Sequence, residues 1–288
     1  MALWPFDAIG TRWEIETARP LDTHTRARIG DVIDDFDRTW SRFRADSDVS
    51  RLARSGGTLR STDAAPMLAA YREVDAATDG AVNPLVGESL TALGYDADYS
   101  FVVGAARPAP RDWAEVATWT DEQLTLTSPA MIDVGALGKG RLVDLVLAEL
   151  GAVAADVTVD AGGDIAVRGG EARIALEHPF DPSRAIGVAT VVDQALCASA
   201  INRRVWGDGI HHVLDARTGA PVRTWAATWA LAPTAMLADA AATALFFDGG
   251  VELAHRWGVE WVRMSTDGRA QRSENCPFEL FTAPASRG

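Results

Sequence analysis

The segment Pro233-Thr-Ala-Met-Leu-Ala238-Asp239-Ala-Ala-Ala-Thr243-Ala-Leu-Phe-Phe247 predicts a helix that carries a carboxylate and a hydroxyl on one face. Thr234 can cap this helix. Asp239 and Thr243 are four residues apart, so their side chains lie one above the other. Mg²⁺ prefers oxygen ligands and fills its remaining positions with water and substrate phosphates. The pair therefore indicates half of a magnesium site, although the same spacing also suits a surface residue and a local hydrogen bond.

A second segment, Met131-Ile-Asp133-Val-Gly135-Ala136-Leu-Gly138-Lys139-Gly140-Arg-Leu-Val-Asp144, predicts a strand, a glycine-rich turn and a helix. Its glycines allow close backbone approach, and the helix N-terminus offers N–H groups to an anion such as phosphate. It is not a P-loop, because Asp133 replaces the first glycine and Gly140 replaces the Ser or Thr. A plain turn with an exposed lysine is the alternative. The alanine-rich face of the first helix would let a carbonyl of this turn join the metal site.

Two further segments are candidates for chemistry. Val159-Asp160-Ala161-Gly162-Gly163-Asp164-Ile165 is explained by a hairpin turn without any function. In the segment from Ile210 to Pro221, His211 and His212 are adjacent on a short strand and point to opposite faces, so at most one reaches a given site. A histidine there can take a proton from a hydroxyl nucleophile, although a solvated or core histidine is the commoner case.

The composition argues against several kinds of partner and site. The chain has 288 residues, 48% of them hydrophobic, and a net charge of -13, which disfavours nucleic acids and anionic membranes. Cys197 and Cys276 form no CxxC motif, so neither a zinc site nor a disulfide scaffold is predicted. The N-terminus has no basic, apolar leader and no lipid-attachment cysteine, and no apolar run reaches about 18 residues. These features predict a cytoplasmic protein without a membrane span, unless a leader has been removed.

The pattern of the whole chain predicts an α+β fold in one domain over residues 1–288, because strands and helices alternate irregularly and no repeat or long linker divides them. A helix with apolar residues from Ile29 to Phe43 ends near Arg44 and is followed by a polar loop to Arg51. The other predicted elements are helices over Ala64–Ala77 and Leu142–Leu150, and strands within residues 8–17, 122–134, 156–168, 186–192, 211–214 and 226–232.

Taken in order, the segments resemble the FAD:protein FMN transferase family, the ApbE-type flavin transferases. The resemblance rests on Ile9–Thr11, Trp40–Ser47, Thr78–Pro84, Asp133–Gly140, Gly162–Asp164, His211–Gly219 and Ala238–Thr243. It implies mixed sheets and helices with the active site in a cleft between two lobes. It also implies a phosphotransferase-type activity, the Mg²⁺-dependent transfer of FMN from FAD to a Thr or Ser hydroxyl of a target protein, with release of AMP.

The resemblance assigns roles to particular residues. Asp239, Thr243 and the backbone carbonyl of Ala136 would bind Mg²⁺, and His212 is the candidate general base. The acceptor would carry a Ser/Thr-Gly-Ala-Ser/Thr type of site. The FAD site would be lined by Ile9, Phe43, Arg44, Ala45, Ala81, Val82, Asn83, Asp133, Lys139 and Leu214.

Several positions depart from the family pattern. Ile9 stands where Met is usual and Asn83 where Asp is usual, which would alter contacts to the adenosine end of FAD. Ala198-Ser199-Ala200 replaces Thr-Ser-Gly, and Ala216 replaces Pro. Two alternatives therefore stay open: an FAD pyrophosphatase that gives FMN and AMP, and a protein that binds FAD without turning it over.

Overall fold

A computed structural model describes residues 1–281 and confirms a mixture of helices and mainly antiparallel sheets. The helices are α1 (Thr23–Trp40), α2 (Asp48–Ser55), α3 (Ala64–Ala77), α4 (Gly87–Ala92), α5 (Trp113–Val116), α6 (Gly138–Glu149), α7 (Ala235–Ala244) and α8 (Gly250–Arg256). The strands are β1 (Ala2–Ala8), β2 (Thr11–Thr17), β3 (Gly57–Arg60), β4 (Ala117–Thr120), β5 (Gln123–Leu126), β6 (Val157–Asp160), β7 (Asp164–Arg168), β8 (Glu171–His178), β9 (Asp181–Val192), β10 (Ala195–Ala200), β11 (Val205–Trp206), β12 (Ile210–His211), β13 (Leu214–Asp215), β14 (Ala220–Pro221), β15 (Trp225–Ala232), β16 (Glu260–Ser265), β17 (Ala270–Arg272) and β18 (Glu279–Leu280).

The central sheet has eight strands in the order β1-β2-β6-β7-β10-β15-β16-β17, and each neighbouring pair is antiparallel. Smaller sheets are formed by β18-β9-β8, β3-β5-β4, β11-β12 and β13-β14. An antiparallel sheet of this kind excludes the doubly wound parallel arrangement.

The central sheet is covered on both faces. Strand β10 shows the period of two that this requires: Ala195 and Cys197 belong to the core under the helices, whereas Leu196 belongs to a second core. The second core lies between the sheet and the β8–β9 hairpin, where Leu176 and Val191 are fully buried. The helical layer includes α1, α3, α6 and α7.

The alanines of α7 allow a very close contact with α6. A Cβ atom at Gly140 would lie 2.3 Å from the carbonyl oxygen of Ala235 and 2.8 Å from Cβ of Asp239, so only glycine fits there. Asp144 of α6 also accepts hydrogen bonds from the first amides of α7, those of Ala235 at 2.8 Å and Met236 at 3.0 Å. This contact sets the position of the site described below.

Several sequence predictions of secondary structure are confirmed. The helix over Ala64–Ala77 has the predicted bounds, and the hydroxyl of Thr234 caps α7 by accepting from the amide of Leu237 at 3.3 Å. The two strands around Gly162-Gly163 are also present. Within the described residues, no helix has the length and apolar composition that crossing a bilayer requires.

Other predictions are wrong. Helix α1 ends at Trp40 rather than near Arg44, and the supposed polar loop contains the start of α2, whose cap is Ser47, accepting from the amide of Ser50 at 3.1 Å. Within 122–134 only β5 is a strand. Helix α6 begins at Gly138 and not at Leu142, and its first turn includes Gly140, which makes the contact with α7.

Candidate active site

A cavity of about 970 Å³ opens where the central sheet meets the C-terminal end of α1, the N-terminal end of α6 and one face of α7. This volume is at the upper end of the roughly 300–1,000 Å³ typical of ligand pockets. Of the residues predicted for the site, Ala45 is outside the lining. The remaining thirteen all line it: Ile9, Phe43, Arg44, Ala81, Val82, Asn83, Asp133, Ala136, Lys139, His212, Leu214, Asp239 and Thr243.

The three predicted metal ligands lie together on the floor of the cavity. Thr243 Oγ1 donates to the carbonyl oxygen of Ala136 at 3.3 Å, and Asp239 Oδ2 accepts from the amide of Gly140 at 3.0 Å. Adjacent ligands of octahedral Mg²⁺, with bonds of about 2.1 Å, are separated by about 3.0 Å. The two neutral oxygens are therefore close to the spacing that such an ion requires, and the buried Asp239 supplies the charge.

Lys139 contacts a carboxylate that the sequence analysis did not select. Its Nζ lies 3.1 Å from Asp164 Oδ2 and 3.2 Å from the carbonyl oxygen of Ala161. Asp164 is only 1% exposed. The Gly162-Gly163 turn is the predicted hairpin, but it also places Asp164 on the cavity floor. The available signal was an acid directly before the apolar run Ile165–Val167.

The ionisable groups of the floor shift one another's pKa. Burial lowers the pKa of Lys139, but the carboxylates of Asp164 and Asp239 outweigh it, so the pKa lies above its ordinary value. Burial raises the pKa of Asp239 well above 3.8, and the charge of Asp164 raises it further. A divalent cation bound beside Asp239 would favour the ionised carboxylate and so oppose the effects of burial and of Asp164.

The floor differs from metal sites made only of charged or soft ligands. Among residues 1–281 no group of three or more His, Cys, Asp or Glu side chains is arranged to hold a metal ion. The magnesium prediction therefore depends on a mixed set of one carboxylate, one hydroxyl and one carbonyl. Such a set leaves positions for water and phosphate oxygens, as Mg²⁺ sites commonly do.

The two adjacent histidines have different environments, although only His211 belongs to a strand, because β12 ends there and not at residue 214 as predicted. His211 is buried, and its Nε2 lies 2.9 Å from the carbonyl oxygen of Val222, which makes it part of the structure. His212 lines the cavity. Burial, with the charges of Arg204 and His211, lowers the pKa of His212 from 6.5 to about 3. The imidazole of His212 is therefore neutral at pH 7 and can accept a proton.

Asp133 is held by protein groups on both carboxylate oxygens. Oδ1 accepts from the amide of Gly135 at 2.7 Å, and Oδ2 accepts from Nε of Arg42. The hydroxyl of Tyr71 donates to the Asp133 carbonyl at 3.0 Å. These bonds fix the turn that presents the carbonyl of Ala136. Arg42 and Tyr71, both cavity-lining, were missed because nothing in their local sequence indicates a contact with the turn.

The polar atoms of Asn83 are likewise occupied. Its Oδ1 accepts from the amide of Leu85 and its Nδ2 donates to the carbonyl of Pro110, both at 2.8 Å. In this arrangement the side chain of Asn83 shapes the wall of the cavity and is not free to bind a ligand. Arg44 contacts the carboxylates of Asp34, Asp37 and Asp46, and hydrogen bonds to these acids raise its pKa above the ordinary value.

An aromatic cluster stands at one side of the cavity. It consists of Phe43, Tyr95, Tyr99, Phe101 and Trp206. The rings of Phe43 and Tyr99 are parallel within 2° at 5.1 Å, and those of Tyr95 and Trp206 are stacked at 5.5 Å. The guanidinium of Arg42 lies 4.2 Å from the ring centre of Phe43. These planar groups offer a surface for a flat ring system.

Comparison with known proteins identifies relatives of this chain. The family model described as the ApbE family matches residues 9–262. An FAD:protein FMN transferase of Rhodobacter capsulatus is 29% identical over 287 residues, and the match covers 91% of this chain. An FAD:protein FMN transferase of Haemophilus influenzae is 26% identical over 291 residues, with coverage of 90% of this chain and 83% of that protein. The chain spans only 55% of the length of the Rhodobacter relative.

Solved structures show the same fold. The ApbE protein of Thermotoga maritima superposes with a TM-score of 0.81 at 20% identity, covering 95% of this chain and 97% of that one. The flavin transferase ApbE of Vibrio cholerae superposes with a TM-score of 0.77 at 21% identity, with the same two coverages. At such identities the likeness establishes the fold alone.

Proposed function

The chain belongs to the ApbE family, and we propose that it transfers FMN from FAD to a Thr or Ser hydroxyl of an acceptor protein and releases AMP. The observation that supports this most is the floor of the cavity. There, Asp239, Thr243 and the carbonyl of Ala136 converge beside the ammonium of Lys139. This combination suits a diphosphate, because each group either binds a hard cation or neutralises phosphate charge.

The metal site would be formed by those three oxygens. When bound there, Mg²⁺ would neutralise part of the diphosphate charge and make the phosphorus easier to attack. The protein contributes the geometry: Gly140 lets α6 and α7 touch, and its amide holds the carboxylate of Asp239 in place. The bonds from Arg42 and Tyr71 to Asp133 hold the turn that carries Ala136.

Lys139 would bind the diphosphate directly. Its ammonium is kept charged by the carboxylates of Asp164 and Asp239, although burial opposes the charged form. The bond from Lys139 to the carbonyl of Ala161 restricts where its side chain can point. A charged group that is already oriented before substrate arrives stabilises developing charge without reorganisation.

His212 would act as the general base. The acceptor hydroxyl oxygen bonds to the phosphorus of the FMN phosphate, the bond from that phosphorus to the AMP oxygen breaks, and the hydroxyl proton passes to an imidazole nitrogen of His212. The neutral imidazole at pH 7 fits the role, since a protonated one could not accept. Its low pKa makes it a weak base in the free protein, and the negative charge of a bound diphosphate would raise it.

The test is an incubation of the protein with FAD, Mg²⁺ and a peptide that contains Ser-Gly-Ala-Thr. The proposal predicts a fluorescent, flavin-bearing peptide and one AMP for each label. AMP without labelled peptide would identify an FAD pyrophosphatase, in which water replaces the hydroxyl. Bound FAD with neither product would leave only a flavin-binding protein.

A further inference from the structure

Two loops beside the cavity carry a cluster of exposed apolar side chains. The chain's large hydrophobic residues are mostly buried, and those that are exposed elsewhere in residues 1–281 are single or lie near the ends. Isolated exposed apolar residues need no explanation, but a contiguous group of them marks an interaction surface. We call this group the apolar patch; its members are Tyr99, Phe101, Val102, Val103 and Val205.

The two loops form one continuous surface. The ring of Phe101 lies 5.7 Å from that of Trp206, the neighbour of Val205, and 6.1 Å from that of Tyr99. A Cβ atom added at Gly207 would lie 3.3 Å from Cγ2 of Val103. The apolar patch is therefore made jointly by the loop after α4 and the loop around β11.

The first loop is held firmly in this conformation. The amide of Phe101 donates to the carbonyl of Gly94 at 2.8 Å, and the amide of Gly104 donates to that of Ala92 at 2.9 Å. Tyr99 and Phe101 have φ angles of 50° and 51°, in the left-handed region that side chains other than glycine rarely adopt. Backbone strain of this kind clusters at functional sites.

The apolar patch adjoins the route to the reacting groups. Tyr99 lines the cavity and stacks on Phe43. Val205 pairs with His211 in the β11–β12 ladder, and His211 is the chain neighbour of His212. Arg204, the chain neighbour of Val205, lines the cavity together with His212, and its charge contributes to the low pKa of that histidine. A polypeptide that approached His212 from the side of β11 would therefore meet the patch.

We propose that the apolar patch binds the acceptor polypeptide through apolar side chains that flank the modified Ser or Thr. The inference rests on the proposed function, because transfer requires a second polypeptide to bring its hydroxyl to His212. An anionic lipid surface fits less well, since the acids of the patch loops (Asp96, Asp98 and Asp208) outnumber the two arginines before Val205, and the chain has a net charge of -13. A second copy of the chain seated there would cover the entrance that the acceptor needs.

The experiment compares two peptides and two variants. One peptide has Ser-Gly-Ala-Thr flanked by Leu and Val, and the other has the same site flanked by Ser and Gly. The test variant is Val102→Asp/Val205→Asp, which changes two exposed residues outside the cavity lining, 74% and 54% exposed. The control is Val153→Asp, at a residue that is 48% exposed on another part of the surface.

The double variant should raise KM for the peptide with apolar flanks by about tenfold, the scale expected when interface contacts of this kind are lost. FAD affinity and AMP release without peptide should stay at the wild-type level, and the control should resemble wild type. The peptide with polar flanks should bind weakly to wild type and be little affected by the variant.

An unchanged KM in the double variant would overturn the proposal. So would an unchanged KM together with a change in oligomeric state or in binding to phosphatidylcholine vesicles, which would assign the patch to self-association or to lipid. If wild type neither labels a peptide nor releases AMP, the proposed function fails. Fluorescence anisotropy of the labelled peptide with FAD-loaded protein then still measures whether the patch binds it.

Discussion

The floor of the cavity and the aromatic cluster at its side are built in opposite ways. On the floor, Asp164 and Asp239 are almost fully buried and stand on regular elements that contact each other closely. In the cluster, Tyr99 and Phe101 are each 44% exposed and belong to an irregular loop. The groups assigned to the diphosphate thus have the rigid support that catalytic geometry needs, whereas the rings that offer a surface to a flat ligand lie partly on a loop. Substitutions at Asp239, Asp164, His212 and Phe43 test this difference between the floor and the cluster.

The largest effect is expected from Asp239→Asn. The change removes the only carboxylate of the proposed metal set, so transfer should fall by more than the about 10–100-fold that follows loss of a group supporting a metal ligand. Titration calorimetry with Mg²⁺ in the presence of FAD should show the affinity loss directly.

The matched control is Asp144→Asn, which alters a half-buried carboxylate at the α6–α7 contact that is outside the cavity lining. It should lower the unfolding free energy by about 1 kcal/mol, because the amide can accept only one of the two hydrogen bonds from the first amides of α7. Its Mg²⁺ affinity should stay near that of wild type. Equal losses of Mg²⁺ affinity in the two variants would remove the special role of Asp239.

The next effect is expected from Asp164→Asn. Without the carboxylate, burial of Lys139 is opposed less, so the pKa of the ammonium falls. The rate of transfer should drop by about tenfold or more, and the alkaline limb of its pH profile should move to lower pH. A drop in rate with an unmoved alkaline limb would mean that Asp164 acts only in folding.

The low pKa of His212 makes the free energy of unfolding depend on pH. Its pKa is 6.5 when unfolded and about 3 when folded, so the unfolded state binds more protons between these values. The contribution of His212 to the free energy of unfolding is therefore fully present above pH 6.5 and is lost as the pH falls toward 3. At pH 5 the loss is at most about 2 kcal/mol. His212→Gln should flatten this part of the curve in denaturant titrations. A variant with the same slope as wild type would show that His212 is not buried in its neutral form.

The smallest effect is expected in the aromatic cluster. Phe43→Leu removes the ring stacked on Tyr99 but keeps an apolar side chain, so the loss should be about 0.5–1.5 kcal/mol. We expect Kd for FAD, followed by flavin fluorescence, to rise about two- to tenfold while kcat at saturating FAD is kept. A fall in kcat as large as the one expected for Asp239→Asn would contradict the assignment of different roles to the floor and the cluster.

The sequence predicted those parts of the site whose signals are local. Asp239 and Thr243 belong to one helix, so their spacing alone aligns them. The small residues of α7 predicted its close approach to the glycine turn. Asp164, Arg42 and Tyr71 were missed because each acts through a partner far away in the chain. Such pairs follow from the topology of the sheet and not from periodicity.

The same distinction holds for the fold. Helix α3 was predicted with its observed bounds because its apolar residues recur regularly over fourteen positions. Helix α2 was missed because it is short and rich in polar residues, and its burial relies mainly on Val49 and Leu52. The aromatic cluster combines residues 43, 95–101 and 206, whose loops have no pattern that the sequence could reveal.

The most direct measurement is anomalous diffraction from crystals grown with FAD and Mn²⁺, which can replace Mg²⁺ at oxygen sites. We expect a single strong peak within bonding distance of the Asp239 carboxylate, Thr243 Oγ1 and the carbonyl oxygen of Ala136, with the diphosphate next to it and to Lys139. A peak elsewhere, or a diphosphate far from α7, would contradict this assignment.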